Sequence, residues 1–378
     1  MSKVKKIIFI PPNGEMFIND FSIQRIAKYF KNNKNVHTTL LQIKDHKATD
    51  SFEYIDSVID VESQDDLLKQ LESLKYDIIF HRSWMLAYPF AAKLVKNFDN
   101  VIVNIKDWGF SSKKEYKIMF GDKATKDFKA IKFIFKNAKY VLSHFTEEQA
   151  KIWEKQYNTS REKFIFFPEY SNENNFNNKD NISYKKIKLV YAGGLAPSSF
   201  PEEMFPTKGN LRGLKNITAH DINISYVLTP GAYGATQLPK LRVMFQDILY
   251  EEKFNKNFNL KKGKILCASV LNDYHFAFFL FEYCTKSEYL NKYAIPSKFA
   301  FYLEAGIPII INKKLKAVSK LVKDHKLGIV FSNNELKNLD KILKNITKKE
   351  YKQFVLNVKK FRNEFIYSSD KFKFLNLK

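Results

Sequence analysis

The sequence predicts an α/β chain of two Rossmann-like domains with helices at its C-terminal end. Three observations predict this. The chain is 378 residues long and 45% hydrophobic, enough for two domains that each bury a core. Short apolar strands alternate with helices of about 10 to 15 residues in two successive series, the pattern of βαβ units on a parallel sheet. Between the series lies "SNENNFNNKDNISYK", residues 171–185, polar and rich in asparagine, which reads as a linker. The expected domains are therefore 1–170 and 186–378.

In the first series "KKIIFI" is a buried strand and "PPNGEMFIND" a loop. "FSIQRIAKYFKNN" is an amphipathic helix with Ile23, Ile26, Ala27 and Phe30 on one face. "HTTLLQI" and "YDIIFHR" follow as strands, "AYPFAAKLVKNF" as a helix, "NVIVNI" as a strand and "TKDFKAIKFIFKNA" as a helix. "KYVLSH" is a strand, and "TEEQAKIWEKQY" a helix with Thr146 placed to cap it and Glu147 and Glu148 in its first turn. "REKFIFFP" completes the series. The second series has "KIKLVYAGG", "NISYVLTPG", "GKILCASV", "IPIIIN" and "LGIVFS" as strands. From "NELKNLDKILKNI" onward the chain reads as helices on the outside of the second half, and no internal repeat is visible.

The start "MSKVKKIIFIPP" has too short an apolar run for a signal peptide, and no stretch approaches the ~20 apolar residues of a membrane span. Cys267 and Cys284 have neither metal nor disulfide-framework spacing and read as buried thiols of a reducing compartment, the cytoplasm. The formal net charge is +23, and residues 313–378 hold 17 Lys and one Arg against six acidic residues, 18 minus 6 or +12. A solvated face of terminal helices and attraction to an anionic membrane or substrate both fit that excess.

Three segments are candidates for chemistry. "PPNG" ends the first strand, and Gly14 permits a sharp turn there. "KLVYAGGLAPSSF" runs from a strand into Gly193-Gly194, where backbone N–H groups can approach a diphosphate; it lacks the GxGxxG pattern, so a nicotinamide dinucleotide is not indicated. "NKYAIPSKFAFYLEAGIPIIIN", residues 291–312, opens a helix at Pro296-Ser297, closes it at Gly306 and continues into an apolar strand. Ser297, the first-turn N–H groups and Lys298 make that helix start a seat for an anion.

The last segment, with the Gly-Gly turn, resembles the donor domain of GT-B glycosyltransferases. It is most similar to family-4-like bacterial enzymes and related glucosyl- and galactofuranosyltransferases that carry P-x-K-x-x-x-Y-L-x-x-G-x-P-V-I. The resemblance is specific over residues 291–340, where "AVSKLVKDHKLGIVFSNNELKNL" also fits, moderate over 186–200 and architectural over the first 170. It implies two domains facing a central cleft, a nucleoside diphosphate sugar held by the second, an acceptor held by the first, and no metal or other cofactor. Many family-4 members carry two glutamates eight positions apart; here those positions are Tyr293 and Phe301, and Glu304 is out of register. The residues expected at the donor are Gly14, Gly193, Gly194, Leu195, Ser297, Lys298 and Tyr302.

Acceptor chemistry needs a polar group at a strand end of the first domain. Asp107, His81-Arg82, His144 and Glu169 stand at such ends, and Asp107 and His144 are the expected catalytic groups. Trp84 and Trp108 are candidates to stack on a sugar. The base of the nucleotide is expected either at the loop holding Pro230, Gly231 and Gly234 or at Asn272, Asp273 and His275. No metal-ligand spacing is present. The expected function is sugar transfer from a nucleoside diphosphate sugar, with UDP as the expected nucleotide, to a bacterial surface-glycan or lipid- or protein-linked acceptor in the cytoplasm or at the inner face of its membrane. The rivals are a nucleotide-sugar epimerase and a basic nucleic-acid-binding protein. Dispersed lysines without a recognition module speak against a nucleic acid as partner.

Overall fold

The computed structural model describes residues 4–15, 22–31, 35–44, 53–109, 112–177, 186–198, 202, 207–263, 267–279, 281–282 and 292–375. The chain divides into two units, residues up to Glu169 with the tail from Tyr367, and Tyr170–Ile366.

In the first unit the elements are β1 (Lys5–Ile10), α1 (Ser22–Phe30), β2 (Val36–Ile43), β3 (Ser57–Val61), α2 (Gln64–Ser73), β4 (Ile78–Ser83) and α3 (Tyr88–Asn97). They continue as β5 (Val101–Ile105), α4 (Lys113–Phe120), α5 (Lys123–Asn137), β6 (Tyr140–Ser143), α6 (Glu147–Tyr157) and β7 (Phe164–Phe166). All seven strands are parallel, in the order β3-β2-β1-β4-β5-β6-β7. The central strands are buried along their whole length, which is why they read as apolar runs without alternation. Helix α1 buries the expected Ile23, Ile26, Ala27 and Phe30. Thr146 stands at the N-cap of α6, but its hydroxyl is buried and makes no capping bond.

The second unit has β8 (Lys188–Gly193), α7 (Thr207–Thr218), β9 (Asn223–Leu228), α8 (Pro230–Gln237), α9 (Pro239–Arg242), α10 (Gln246–Phe254), β10 (Phe258–Lys262) and β11 (Phe276–Phe278). Then follow α11 (Lys298–Ala305), β12 (Ile309–Asn312), α12 (Lys316–Asp324), β13 (Gly328–Phe331), α13 (Leu339–Lys344) and α14 (Lys348–Glu364). The sheet is again parallel, β10-β9-β8-β11-β12-β13. Each unit is therefore a doubly wound sheet whose order reverses beside its first strand, between β1 and β4 and between β8 and β11. The crevice at the carboxyl ends of such strands is where this kind of sheet binds ligands.

Several expectations are corrected. The strand expected at "GKILCASV" is not one in its described part, since Ala268–Leu271 is a 3-10 turn. The sheet positions belong instead to Phe258–Lys262 and Phe276–Phe278, the second only three residues long. Strand β3 and helices α2 and α4 were also absent from the sequence reading. The 230–234 segment, expected as a loop, is the first turn of α8. Cys267 is partly exposed, with its sulfur 3.0 Å from the Ser269 hydroxyl, rather than buried; Cys284 lies outside the described residues.

The boundary between the units also falls elsewhere than expected. The described part of the 171–185 segment is seated on the second unit: Ser171 donates its N–H to the Phe365 carbonyl at 2.9 Å, and Asn172 donates to Glu304 Oε1 at 2.7 Å. Residues 178–185 lie outside the described residues. The tail, assigned to the second domain by sequence, clusters with the first unit. Phe372 is the reason: its ring lies 4.8 Å from Tyr29, 4.7 Å from Phe30 and 5.4 Å from Phe167. An aromatic group this large is held where it can be buried.

Candidate functional site

In the second unit, β8 ends at the reversal point in Gly193-Gly194. Gly193 has φ +142°, and a Cβ there would stand 3.4 Å from Lys298 Cε and 3.5 Å from Nζ. Gly194 is exposed, with open space where a Cβ would be. Glycine is thus favoured at 193 by backbone conformation, while a Cβ there would make only ordinary contact with the lysine. Lys298, the first residue of α11, donates its ammonium to the Tyr191 hydroxyl at 2.9 Å and lies 4.0 Å above the Tyr191 ring. Tyr191 in turn donates to the Gly194 carbonyl at 2.8 Å. Among the described residues the ammonium pairs with no carboxylate.

The Gly193 carbonyl accepts the N–H of Thr229, the residue before α8, at 3.1 Å. The starts of α8 and α11 therefore adjoin one turn, and each start presents backbone N–H groups with partial positive charge. Ser297 occupies the N-cap of α11 with helical φ and ψ, and its side chain makes no capping bond. Two helix starts, an unpaired ammonium and two glycines at one strand end form a seat suited to a diphosphate. Leu195 is half-buried and packs against the core under the turn.

Tyr302 does not belong to that seat as a contact. It is fully buried, and its hydroxyl accepts the Ala192 N–H at 3.0 Å and donates to the Phe278 carbonyl at 2.7 Å. It fastens α11 to the ends of β8 and β11 and so sets where Lys298 stands. Tyr191 was missed by sequence reading. The available signal was the period of two in a strand, which puts residues 191 and 193 on the same face.

The two expected base loops separate by position. Thr229 and the start of α8 follow β9 and lie at the carboxyl ends. Asn272, Asp273 and His275 precede β11 and lie at the opposite edge, where the buried His275 accepts the N–H of Lys188, the first residue of β8, at 3.0 Å. Direction along a parallel strand excludes them from the seat. Glu304 is fully buried; its carboxylate accepts Asn172 N–H, and its carbonyl accepts the Asn177 N–H at 2.9 Å.

In the first unit Gly14 follows β1 with φ +82°, and a Cβ would meet Leu67 Cδ1 at 3.0 Å and Ile43 Cδ1 at 3.1 Å. Backbone conformation and packing account for this glycine. Trp108 is fully buried, donating to the Tyr157 hydroxyl at 3.1 Å between Tyr88 and Tyr116, so it is core and not a sugar platform. Trp84 is half-buried. His81 is a core histidine whose Nδ1 lies 3.1 Å from the Ile10 carbonyl.

Arg82, Glu169 and His144 share the carboxyl edge of the first sheet. Arg82 donates to Glu169 at 2.9 Å and to the Asn104 side chain, and Ser22 donates its hydroxyl to the same Glu169 oxygen. Burial alone would raise the Glu169 pKa, but the charges of Arg82, Lys106 and His144 hold it at about 2. Burial pushes His144 down to about 4, against the pull of Asp107 and Glu169. At neutral pH His144 is an uncharged imidazole. Asp107 is exposed after β5 with φ +61°, a left-handed conformation unusual for a residue with a side chain. Among the described residues no cluster of metal-ligating side chains is present.

Acid sensitivity follows with a definite sign. His144 and His81, the latter pushed down to about 3 by burial, take up protons more readily when unfolded. Their cost to stability grows as pH falls from 6.5 toward those values. Glu169 contributes stability above 4.5 that is lost toward pH 2. The melting midpoint is therefore expected to fall continuously from pH 7 to 4. A flat midpoint across that range would contradict the buried, neutral histidines.

Residues 269–368 match the family described as Glucosyltransferase 3-like, C-terminal domain. No curated protein matches the sequence. Among solved structures, HepE of Anabaena in complex with UDP-glucose superposes with a TM-score of 0.66 at 11% identity, covering 98% of each chain. WaaG, a glycosyltransferase involved in lipopolysaccharide biosynthesis, gives 0.58 at 13% identity over 99% of each chain. The trehalose 6-phosphate synthase of Burkholderia multivorans gives 0.61 at 7% identity, over 99% of this chain and 98% of that one. The chain therefore has the two-domain GT-B fold of such glycosyltransferases, and its residues 269–368 are similar to a Glucosyltransferase 3-like C-terminal domain.

Proposed function

We propose that this protein is a glycosyltransferase that moves a sugar from a nucleoside diphosphate sugar, with UDP as the nucleotide, to a hydroxyl of a glycan or of a lipid- or protein-linked acceptor. The observation that carries this reading is the Lys298 ammonium, held 2.9 Å from the Tyr191 hydroxyl at the Gly193-Gly194 turn. In the reaction the bond from the anomeric carbon to the diphosphate oxygen breaks, and one from that carbon to the acceptor oxygen forms. Lys298, the Gly194 region and the first-turn N–H groups of α8 and α11 stabilise the charge that develops on the departing diphosphate. Asp107 and the neutral His144 are the groups proposed to handle the acceptor proton, with the Arg82–Glu169 pair holding their surroundings in place.

The same reading puts the enzyme in the cytoplasm of a bacterium, working on a surface glycan. No helix of the described residues is long and apolar enough to cross a membrane, and the net charge of +23 favours acceptors presented at an anionic surface.

The test is a thermal-shift panel of UDP, GDP, CMP, TDP and ADP. A ligand that binds only the folded state, present at about 100 times its Kd, stabilises it by about 2.7 kcal/mol. UDP is expected to raise the midpoint most. Indifference to every nucleotide would remove the donor-site reading, and a preference for another base would replace UDP.

A further inference from the structure

Twelve large hydrophobic residues among those described are well exposed, and five of them fall within residues 238–254 of the second unit: Leu238, Leu241, Val243, Tyr250 and Phe254. Single exposed apolar residues need no explanation, but a cluster does. Residues 237–243, "QLPKLRV", are exposed without interruption. A helix lying on a sheet buries one residue in every three or four, so this turn stands clear of the core. It leads into α10, where Tyr250 and Phe254, 60% and 63% exposed, pair on one face with ring centroids 4.6 Å apart.

The charges around these residues are mostly basic. Lys240 and Arg242 alternate with Leu241 and Val243, and the Lys253 ammonium lies 5.1 Å from the Phe254 ring. The acids of the stretch are largely occupied. Glu251 is buried and paired with Lys215 at 3.0 Å, and Glu252 accepts the Leu260 N–H at 3.1 Å, leaving Asp247 as the exposed one. Leucine and aromatic side chains beside lysine and arginine are the composition of segments that lie in a membrane interface. A second copy of this chain would instead set two basic surfaces against each other.

We propose that the surface formed by Leu238, Leu241, Val243, Tyr250 and Phe254, rimmed by Lys240, Arg242 and Lys253, docks the second unit on an anionic lipid surface. The apolar side chains enter the headgroup boundary, and the cations meet lipid phosphates. This is independent of the sugar-transfer reading, and it assigns the contact to residues other than those of the lysine-rich terminal helices that carry much of the excess charge.

The experiment is cosedimentation of the full chain, without nucleotide, with vesicles of phosphatidylcholine alone or with about 30% phosphatidylglycerol. Wild type is expected to sediment with the anionic vesicles and to be released by salt. L238S/L241S/V243S, Y250S/F254S and K240E/R242E are each expected to weaken partitioning about tenfold or more. Because the substituted residues are exposed, the variants should keep the wild-type melting midpoint and circular dichroism. K341E/K344E on α13 serves as the charge-matched control and is expected to lose less.

Failure of wild type to bind anionic vesicles overturns the proposal, as does unchanged binding by the patch variants or a loss confined to K341E/K344E. A concentration-dependent dimer in sedimentation velocity that Y250S/F254S abolishes, without vesicle binding, would assign the surface to a second copy and overturn it too.

Discussion

Lys298→Ala is expected to abolish the stabilisation by UDP and to lower kcat/KM about a hundredfold or more, the range for removing a donor that meets charge developing in a transition state. The lysine has little other work. It is half-buried at the first position of α11, bonded to one hydroxyl and resting over aromatic faces, so its removal should leave the unfolding free energy without nucleotide within about 1 kcal/mol of wild type. That separates a lost phosphate contact from a lost fold. Tyr191→Phe keeps the aromatic face and removes the hydroxyl that holds the ammonium, and an intermediate loss is expected. If Lys298→Ala binds UDP like wild type, the turn is only a tight connection, and the donor reading loses its chemical support.

Arg82→Ala is expected to be the most destabilising single change at the first unit's polar cluster, by about 3 to 5 kcal/mol. Arg82 and Glu169 are 3% and 6% exposed. Removing the guanidinium leaves a carboxylate in a low-dielectric site with only the Ser22 hydroxyl as its remaining direct partner among those described above. Urea denaturation measures the loss. Arg82→Met combined with Glu169→Leu should recover most of it, because the cost lies in the orphaned charge and not in the absent pair. A loss below about 1 kcal/mol for Arg82→Ala would mean that water reaches Glu169. The same variant tests function: with Arg82 gone, its charge no longer lowers the His144 pKa against the pull of Glu169, so the pH profile of turnover should shift to higher pH even where folding is intact.

Much of the architecture was written in local patterns. Runs such as Ile7-Ile8-Phe9-Ile10 and Ile309-Ile310-Ile311 are apolar on both faces, and this announces a strand covered by helices on both sides. The α11 segment was legible for the same reason: Pro296 before it and Gly306 after it, at φ +69°, are residue types that helix ends require. Elements without such marks escaped. Phe276–Phe278 is too short to show a period, and Ser57–Val61 alternates with polar residues and lies at a sheet edge.

Local sequence patterns suffice to establish that the chain is α/β in two Rossmann-like halves, that Gly193-Gly194 ends a buried strand, and that Lys298 begins a helix. All three depend on neighbours a few residues apart. Long-range packing is what brings Lys298 against Gly193 with Tyr191 beneath it, makes Tyr302 a fastener, joins Arg82 to Glu169, and turns Asn272, Asp273 and His275 to the other edge of the sheet. Those facts depend on strand order and direction. The order in which strands of a parallel sheet assemble is set by burial across the whole domain, so residues more than a hundred positions apart become neighbours without any local pattern to mark them.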